Sequence, residues 1–201
     1  MWLEHLGTVS HAVTEDSAHS ALRWIKNLPK EAWKPVDLRS KDCSRIKFTA
    51  RFFHAASDAW ATRVPPELLS LGEEALERAR TVVPGAPWDD FQIDTLVLNR
   101  YPAGKGVAKH KDPEQWVPLV LGVTLYEDAC NSPVNAMEFA DERDKRHKRL
   151  VPTPHRSAYV FHGQAYTDAT HARKPCSKRQ KGNVYSLTFR AYARRDESEG
   201  A

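Results

Sequence analysis

From Trp88 onward the chain breaks into short apolar and β-branched runs separated by Pro, Gly and Asn, with no helical stretch between them. The runs are Phe91 to Tyr101, Val107 to Asp112, Val117 to Tyr126, Asn135 to Ala140, Arg149 to Val151, Ser157 to His162 and Asn183 to Ala193. Parallel strands need long crossovers, usually helices. This texture therefore excludes a wound α/β sheet and predicts antiparallel layers, a β-sandwich or jelly roll. Helical spacing occurs upstream instead. Ala18, Ala21, Leu22, Ile25 and Leu28 recur with helical period until Pro29 stops them. A second helix is predicted to begin at Pro65 and Pro66, to bury Leu68, Leu71, Ala75, Leu76, Ala79 and Val82, and to end at Pro84-Gly85. Residues 47 to 60, which include Phe48, Arg51, Phe52, Phe53, His54 and Trp60, read as a strand pair or a lid.

The expected class is mainly β with flanking helices (α+β). One domain is expected over 1–201: 1–88 supply N-terminal helices packed on one sheet and a substrate lid, and 89–195 form the β core. Hydrophobic residues at 41% and charged residues at 28% exclude a disordered, collagen-like or coiled-coil chain. The longest mostly apolar run, Val117 to Leu125, is about half of the roughly 20 residues a membrane helix needs, and it contains a proline and a glycine. The first residues lack the charged start and apolar run of a signal peptide. An intracellular monomer, cytoplasmic or nuclear and without a membrane partner, is the expectation. Cys43, Cys130 and Cys176 are far apart with no CxxC, which predicts free thiols rather than a disulfide framework or zinc ribbon. Charge is uneven: residues 1–100 carry 13 Lys/Arg against 14 Asp/Glu, whereas residues 141–195 carry 14 against 4. A basic excess of this kind attracts polyanions such as nucleic acid.

The β region contains His110-Lys111-Asp112, and His171 follows Asp112 by 59 residues. On an extended strand the side chains of His110 and Asp112 share a face while Lys111 points away. Two imidazoles and one carboxylate on adjacent sites of a metal, with the opposite sites open, make the facial triad typical of non-heme Fe(II) oxygenases.

The surrounding text narrows the reading. Asn99-Arg100-Tyr101-Pro102-Ala103-Gly104, running into His110-Lys111-Asp112-Pro113-Glu114, resembles the AlkB family of Fe(II)/2-oxoglutarate dioxygenases, in which N-x-Y and a glycine turn precede H-x-D. Tyr185-Ser186-Leu187-Thr188-Phe189-Arg190 is similar to the closing strand of that family, and His171 stands where its second metal histidine is expected. The resemblance covers roughly 91–193. It implies a double-stranded β-helix (jelly-roll) core, a metal site of His110, Asp112 and His171, and Fe(II) with 2-oxoglutarate and O2 as co-substrates. Alternation puts Val184, Ser186, Thr188 and Arg190 on one face of the last strand, so Ser186, Thr188 and Arg190 are expected to line the co-substrate site with Asn99 and Tyr101. His162 is the rival second histidine and is read as a wall of the pocket.

One position departs from the family pattern. The family carries two arginines six residues apart in the last strand, and the place of the first is Val184. A buried carboxylate of the co-substrate then needs another cation. Arg190, Arg173, Lys178 and Lys181 are the candidates, the last three from a basic loop expected over Arg173 to Gly182.

The implied activity is oxidative demethylation of alkylated bases in DNA or RNA, as in DNA repair or RNA demethylation, releasing formaldehyde from a hydroxylated N-methyl group. Arg51, Phe53, Trp60, Lys109, Lys111, Glu114 and His162 are the expected substrate contacts. Two alternatives stand beside it. One is a same-fold dioxygenase acting on a protein or small molecule; the other is a non-catalytic nucleic-acid-binding member whose co-substrate site has decayed at Val184.

Overall fold

The computed structural model describes residues 2–36, 43–49, 63–113, 116–144 and 146–192. Helix α1 (Glu15–Lys26) starts at Thr14, whose hydroxyl accepts a hydrogen bond from the Ser17 N–H and so satisfies one of the exposed first-turn donors. Helix α2 (Pro66–Val82) starts where proline needs no N–H partner, and it stops before Pro84. The predicted stripes are buried through Ala18, Ala21, Leu22 and Ile25 on α1 and through Leu68, Leu71, Ala75 and Ala79 on α2. Val82, at the end of the second stripe, is 54% exposed. No helix among the described residues is long and apolar enough to cross a membrane.

Every strand ladder among the described residues is antiparallel. The larger sheet contains β1 (Leu6–Val9), β2 (Lys34–Pro35), β3 (Ser44–Thr49), β4 (Thr95–Tyr101), β6 (Leu119–Tyr126), β9 (Ala158–His162) and β11 (Val184–Arg190), in the order β1-β9-β6-β11-β4-β3-β2. The smaller sheet contains β5 (Val107–His110), β7 (Asn135–Asp141), β8 (Lys148–Thr153) and β10 (Ala169–Arg173), in the order β5-β10-β7-β8. A five-residue helix α3 (Gly163–Thr167) links β9 to β10. The architecture is the expected jelly roll, mainly β, with both N-terminal helices on one sheet.

The register of the larger sheet sorts its side chains into two layers, because residues directly opposite in antiparallel strands share a face. Ile46, Leu98, Leu187, Val123 and Ala158 make one row, and Phe48, Leu96, Phe189, Leu121 and Val160 make the next. Both rows belong to the hydrophobic cluster that also holds the buried faces of α1 and α2. Leu68, Leu96, Leu98, Leu187 and Phe189 are all fully buried there, each contributing about 1.5–3 kcal/mol relative to exposure. The alternate rows are polar: Arg45, Asn99, Ser186 and Thr124, then Lys47, Val97, Thr188, Gly122 and Tyr159. They face the smaller sheet and the cavity between the two sheets.

Some boundaries differ from the sequence reading. β4 begins at Thr95 rather than Phe91, because Trp88–Asp90 forms a single 3-10 turn before it. β5 ends at His110, so Asp112 lies beyond the strand. β1, α3 and β10 carry too little apolar periodicity to stand out in sequence. β10 exists because β5 and β7 offer it a ladder on each side. Arg173 is therefore the last residue of a strand, not the first of a loop.

Gly122 shows how close the inner layer is built. A Cβ there would stand 2.0 Å from Cζ of Tyr159, which lies across it and brings its hydroxyl 3.1 Å from Ser186 Oγ. Gly122→Ala is expected to displace that ring and to cost about 1–3 kcal/mol in urea denaturation. Gly85→Ala, where nothing lies within 4 Å, should stay within about 0.5 kcal/mol of the parent.

Candidate metal centre and its cavity

Three segments bring His110, Asp112 and His171 together. His110 ends β5 and faces His171 directly across the β5–β10 ladder, with ring centroids 4.3 Å apart. Asp112 arrives two residues later, on the extended segment that leads toward Trp116. One donor atom from each of the three lies within 4.8 Å of the others, a grouping able to hold a metal ion. The Nδ1 of His110 is 2.9 Å from the carbonyl of Ala108. A carbonyl only accepts, so Nδ1 carries the proton and Nε2 keeps the lone pair for the site.

Electrostatics prepare the same donors. The Asp112 side chain is 4% exposed and forms a buried ion pair and hydrogen bond with Arg190. Burial pushes its carboxyl up, but Arg190 together with His171 and His110 outweighs that and holds it below its ordinary value. Its second oxygen, Oδ2, is buried with no hydrogen-bond partner. Burial among Phe139, Phe161 and the other site groups lowers His171 to a pKa of about 3, so its ring is neutral and able to ligate at neutral pH. His110, Asp112 and His171 thus present two imidazole nitrogens and an ionised oxygen toward one point.

The three donors open onto a cavity of about 540 Å³ between the sheets. Asn99, Tyr101, Ser186, Thr188 and Arg190 all line it, as the strand alternation predicts. Arg190 gives one terminal nitrogen to Asp112, while its Nε is buried with no hydrogen-bond partner. Lys111 reaches the cavity and pairs with Glu142 at its rim. Lys109 does not reach it. It points the opposite way from His110 and forms an ion pair with Glu138 at 3.8 Å. His162 is also absent from it: Tyr159 and Phe161 take the inner face of β9, which sends His162 to the other side, edge-on to His5 at 4.9 Å. It is neither a rival ligand nor a wall of this cavity. Arg51, Phe53, Trp60 and Glu114 lie outside the described residues, as does most of the expected lid.

Sequence reasoning passed over several lining residues. Tyr159 and Phe161 were legible as alternate positions of a predicted strand. Arg45 and Lys47 line the cavity from β3, opposite Asn99 and Val97, and follow from the register alone. Arg173 shares the inner face of β10 with His171 and is almost fully buried.

No family model matches the sequence, and no curated protein matches it either. Solved structures do. The structure of OsALKBH1 superposes with a TM-score of 0.66 at 12% identity, over 92% of this chain and 97% of that one. The fold is AlkB-like. A Pseudomonas putida prolyl-4-hydroxylase superposes with a TM-score of 0.60 at 10% identity, over 94% of each chain. At such identities the likeness concerns architecture, which here is the AlkB-like jelly roll, with the H-x-D motif meeting His171 at the cavity between the sheets, His110 on the exposed side and His171 buried.

Arg190→Met keeps the length of the side chain and removes its charge, leaving Asp112 buried without a cation. Urea denaturation of the metal-free protein is expected to show a loss of about 3–5 kcal/mol. Asp112→Asn added to that variant should recover part of the loss, since the uncompensated charge is then gone.

Proposed function

We propose that this chain is an Fe(II)/2-oxoglutarate dioxygenase that oxidatively removes alkyl groups from nucleobases. The observation that carries the reading is the meeting of His110, Asp112 and His171 in a cavity lined by cations. An iron ion fits these residues. Asp112 Oδ2 is a buried oxygen with no hydrogen-bond partner, and the contact of His110 Nδ1 with the Ala108 carbonyl leaves Nε2 as the ring's ligating nitrogen. The donor set, two imidazoles and one carboxylate, suits non-heme Fe(II) with open positions. When bound, Fe(II) with 2-oxoglutarate and O2 supplies oxidation of a C–H bond, and a hydroxylated N-methyl group then leaves as formaldehyde.

The chain's own residues bind, orient and exclude. Arg190 keeps Asp112 ionised, and the Ala108 carbonyl orients the ring of His110. Asn99, Tyr101, Ser186 and Thr188 offer hydrogen-bonding groups on adjacent strands along the floor, where 2-oxoglutarate is proposed to lie. Phe161, Tyr159 and Trp116 wall the cavity on its buried side, where they limit water around His171.

Nucleic acid as substrate is supported by charge and by likeness. Arg45, Lys47 and Lys111 lie around the cavity, and among the described residues Asp112 is the one carboxylate that lines it. Such a lining attracts a phosphate backbone. A base within a duplex is out of reach, so the substrate is a flipped or single-stranded nucleotide. The likeness to OsALKBH1 points the same way. The prolyl-4-hydroxylase likeness supports a second reading, hydroxylation of a protein or small molecule on the same centre.

Anaerobic addition of Fe(II) and 2-oxoglutarate is expected to produce a metal-to-ligand charge-transfer band, absent in His110→Ala. In air, succinate and formaldehyde should form together from an N-methylated oligonucleotide, less efficiently as salt rises. Succinate without formaldehyde would favour the second reading. With no band and no succinate, the dioxygenase reading is wrong.

A further inference from the structure

Arg173 is among the largest fully buried side chains, at 2% exposure. It stands at the end of β10, two residues after His171 and on the same face. Its guanidinium is under-used. One terminal nitrogen donates to Thr153 Oγ1 at a long 3.3 Å, while Nε and the other terminal nitrogen are buried with no hydrogen-bond partner. Its Cζ lies 5.0 Å from the ring centre of Tyr101, which attracts the cation through the ring face but accepts none of the in-plane N–H groups. The Cys176 thiol lies beside it: burial pushes the thiol up, the charge of Arg173 and a side-chain hydrogen bond with it act the other way, and a neutral sulfur is only a weak acceptor for the guanidinium. Among the described residues no carboxylate forms an ion pair with it. A buried cation left this way is unfavourable, and an anion in the cavity would satisfy it.

The placement is rigid. Gly106 lets the end of β10 come so close that a Cβ there would stand 2.3 Å from the carbonyl oxygen of Arg173. The Gly104 N–H donates to the Cys176 carbonyl at 2.9 Å, and the Cys176 N–H to the Lys105 carbonyl at 2.8 Å. The backbone that carries Arg173 is thus clamped on both sides.

Resting on the reading of the site as a 2-oxoglutarate centre, we propose that Arg173 is the anchor for the distal carboxylate, supplied from β10 instead of β11. Two residues along a strand span about 6.6 Å. That matches a five-carbon 2-oxo diacid whose keto-acid end is held beside His171 and whose far carboxylate meets Arg173. Val184, where the resemblance leads one to expect an arginine, pairs with Tyr101, the residue whose ring lies against Arg173. Val184 also belongs to the small buried cluster of Cys43, Tyr101, Tyr126 and Cys176. The cation has changed strands: a second arginine at 184 would add a like charge to the same corner, and valine leaves it apolar.

The test compares 2-oxoglutarate with 2-oxopentanoate, which has the same chain length but ends in a methyl group, by calorimetric binding to the Mn(II)-loaded protein. The parent protein is expected to prefer 2-oxoglutarate by about a hundredfold, the worth of a two-pronged charged hydrogen bond. Arg173→Gln should bring that ratio to about one while leaving 2-oxopentanoate binding unchanged, and Arg173→Lys should restore part of the preference. If Arg173→Gln keeps the preference, another group holds the carboxylate and the proposal fails. Equal loss of both ligands, with a lowered melting temperature, would make Arg173 a structural residue and also overturn it. If the parent protein binds neither ligand, it is the 2-oxoglutarate reading itself that fails, and the anchor with it.

Discussion

Strand β11 sits between β6 and β4 in the middle of the larger sheet, and the parity of its side chains governs both halves of the molecule. Tyr185, Leu187, Phe189 and Ala191 enter the core under the two helices, while Ser186, Thr188 and Arg190 turn toward the cavity. The same residues cannot exchange roles, because a slip by one position would put polar groups under the helices and apolar groups around the metal centre. Stability and site are therefore written into one strand. The neighbouring strands copy its parity through their register, which is how Asn99 on β4 and Arg45 on β3 come to face the same space as Ser186.

Electrostatically the interior is a negative point within a positive shell. Asp112 is held ionised by Arg190, with His171 and His110 acting in the same direction. Arg45, Lys47 and Lys111 lie farther along the cavity lining. Such a lining favours anions, most of all beside the buried guanidinium of Arg173, where two nitrogens have no hydrogen-bond partner. Among the described residues it leaves Asp112 as the one lining acid. A proton or a cation lost from this balance is felt at the donors, since the low local dielectric strengthens every pair.

Much of the site was legible because its motifs are local. H-x-D, N-x-Y and the alternation of the last strand are spacing patterns that survive without knowledge of the fold, and the donors and Asn99, Tyr101, Ser186 and Thr188 were read from them. Arg190 shows where local pattern stops. Its strand and its face were right, but its partner is Asp112, 78 residues away, and nothing in the spacing names that contact. His162 shows the complementary error: a histidine near a motif is sent elsewhere by the parity of its own strand. Lys109 is a third case, turned outward to Glu138 because the neighbouring His110 turns inward.

By itself the sequence determined the mainly β architecture, the two amphipathic helices and the three candidate metal donors, since period, punctuation and motif spacing are properties of neighbouring residues. Only the tertiary structure decided which cations are free to meet an anion. Arg173 was one basic residue among several until pairing with β5 and β7 turned a segment of weak periodicity into a strand and buried the guanidinium beside Tyr101. Whether a charge is solvated, paired or left unsatisfied depends on groups brought from distant parts of the chain, and that information exists only once the sheets have closed on each other.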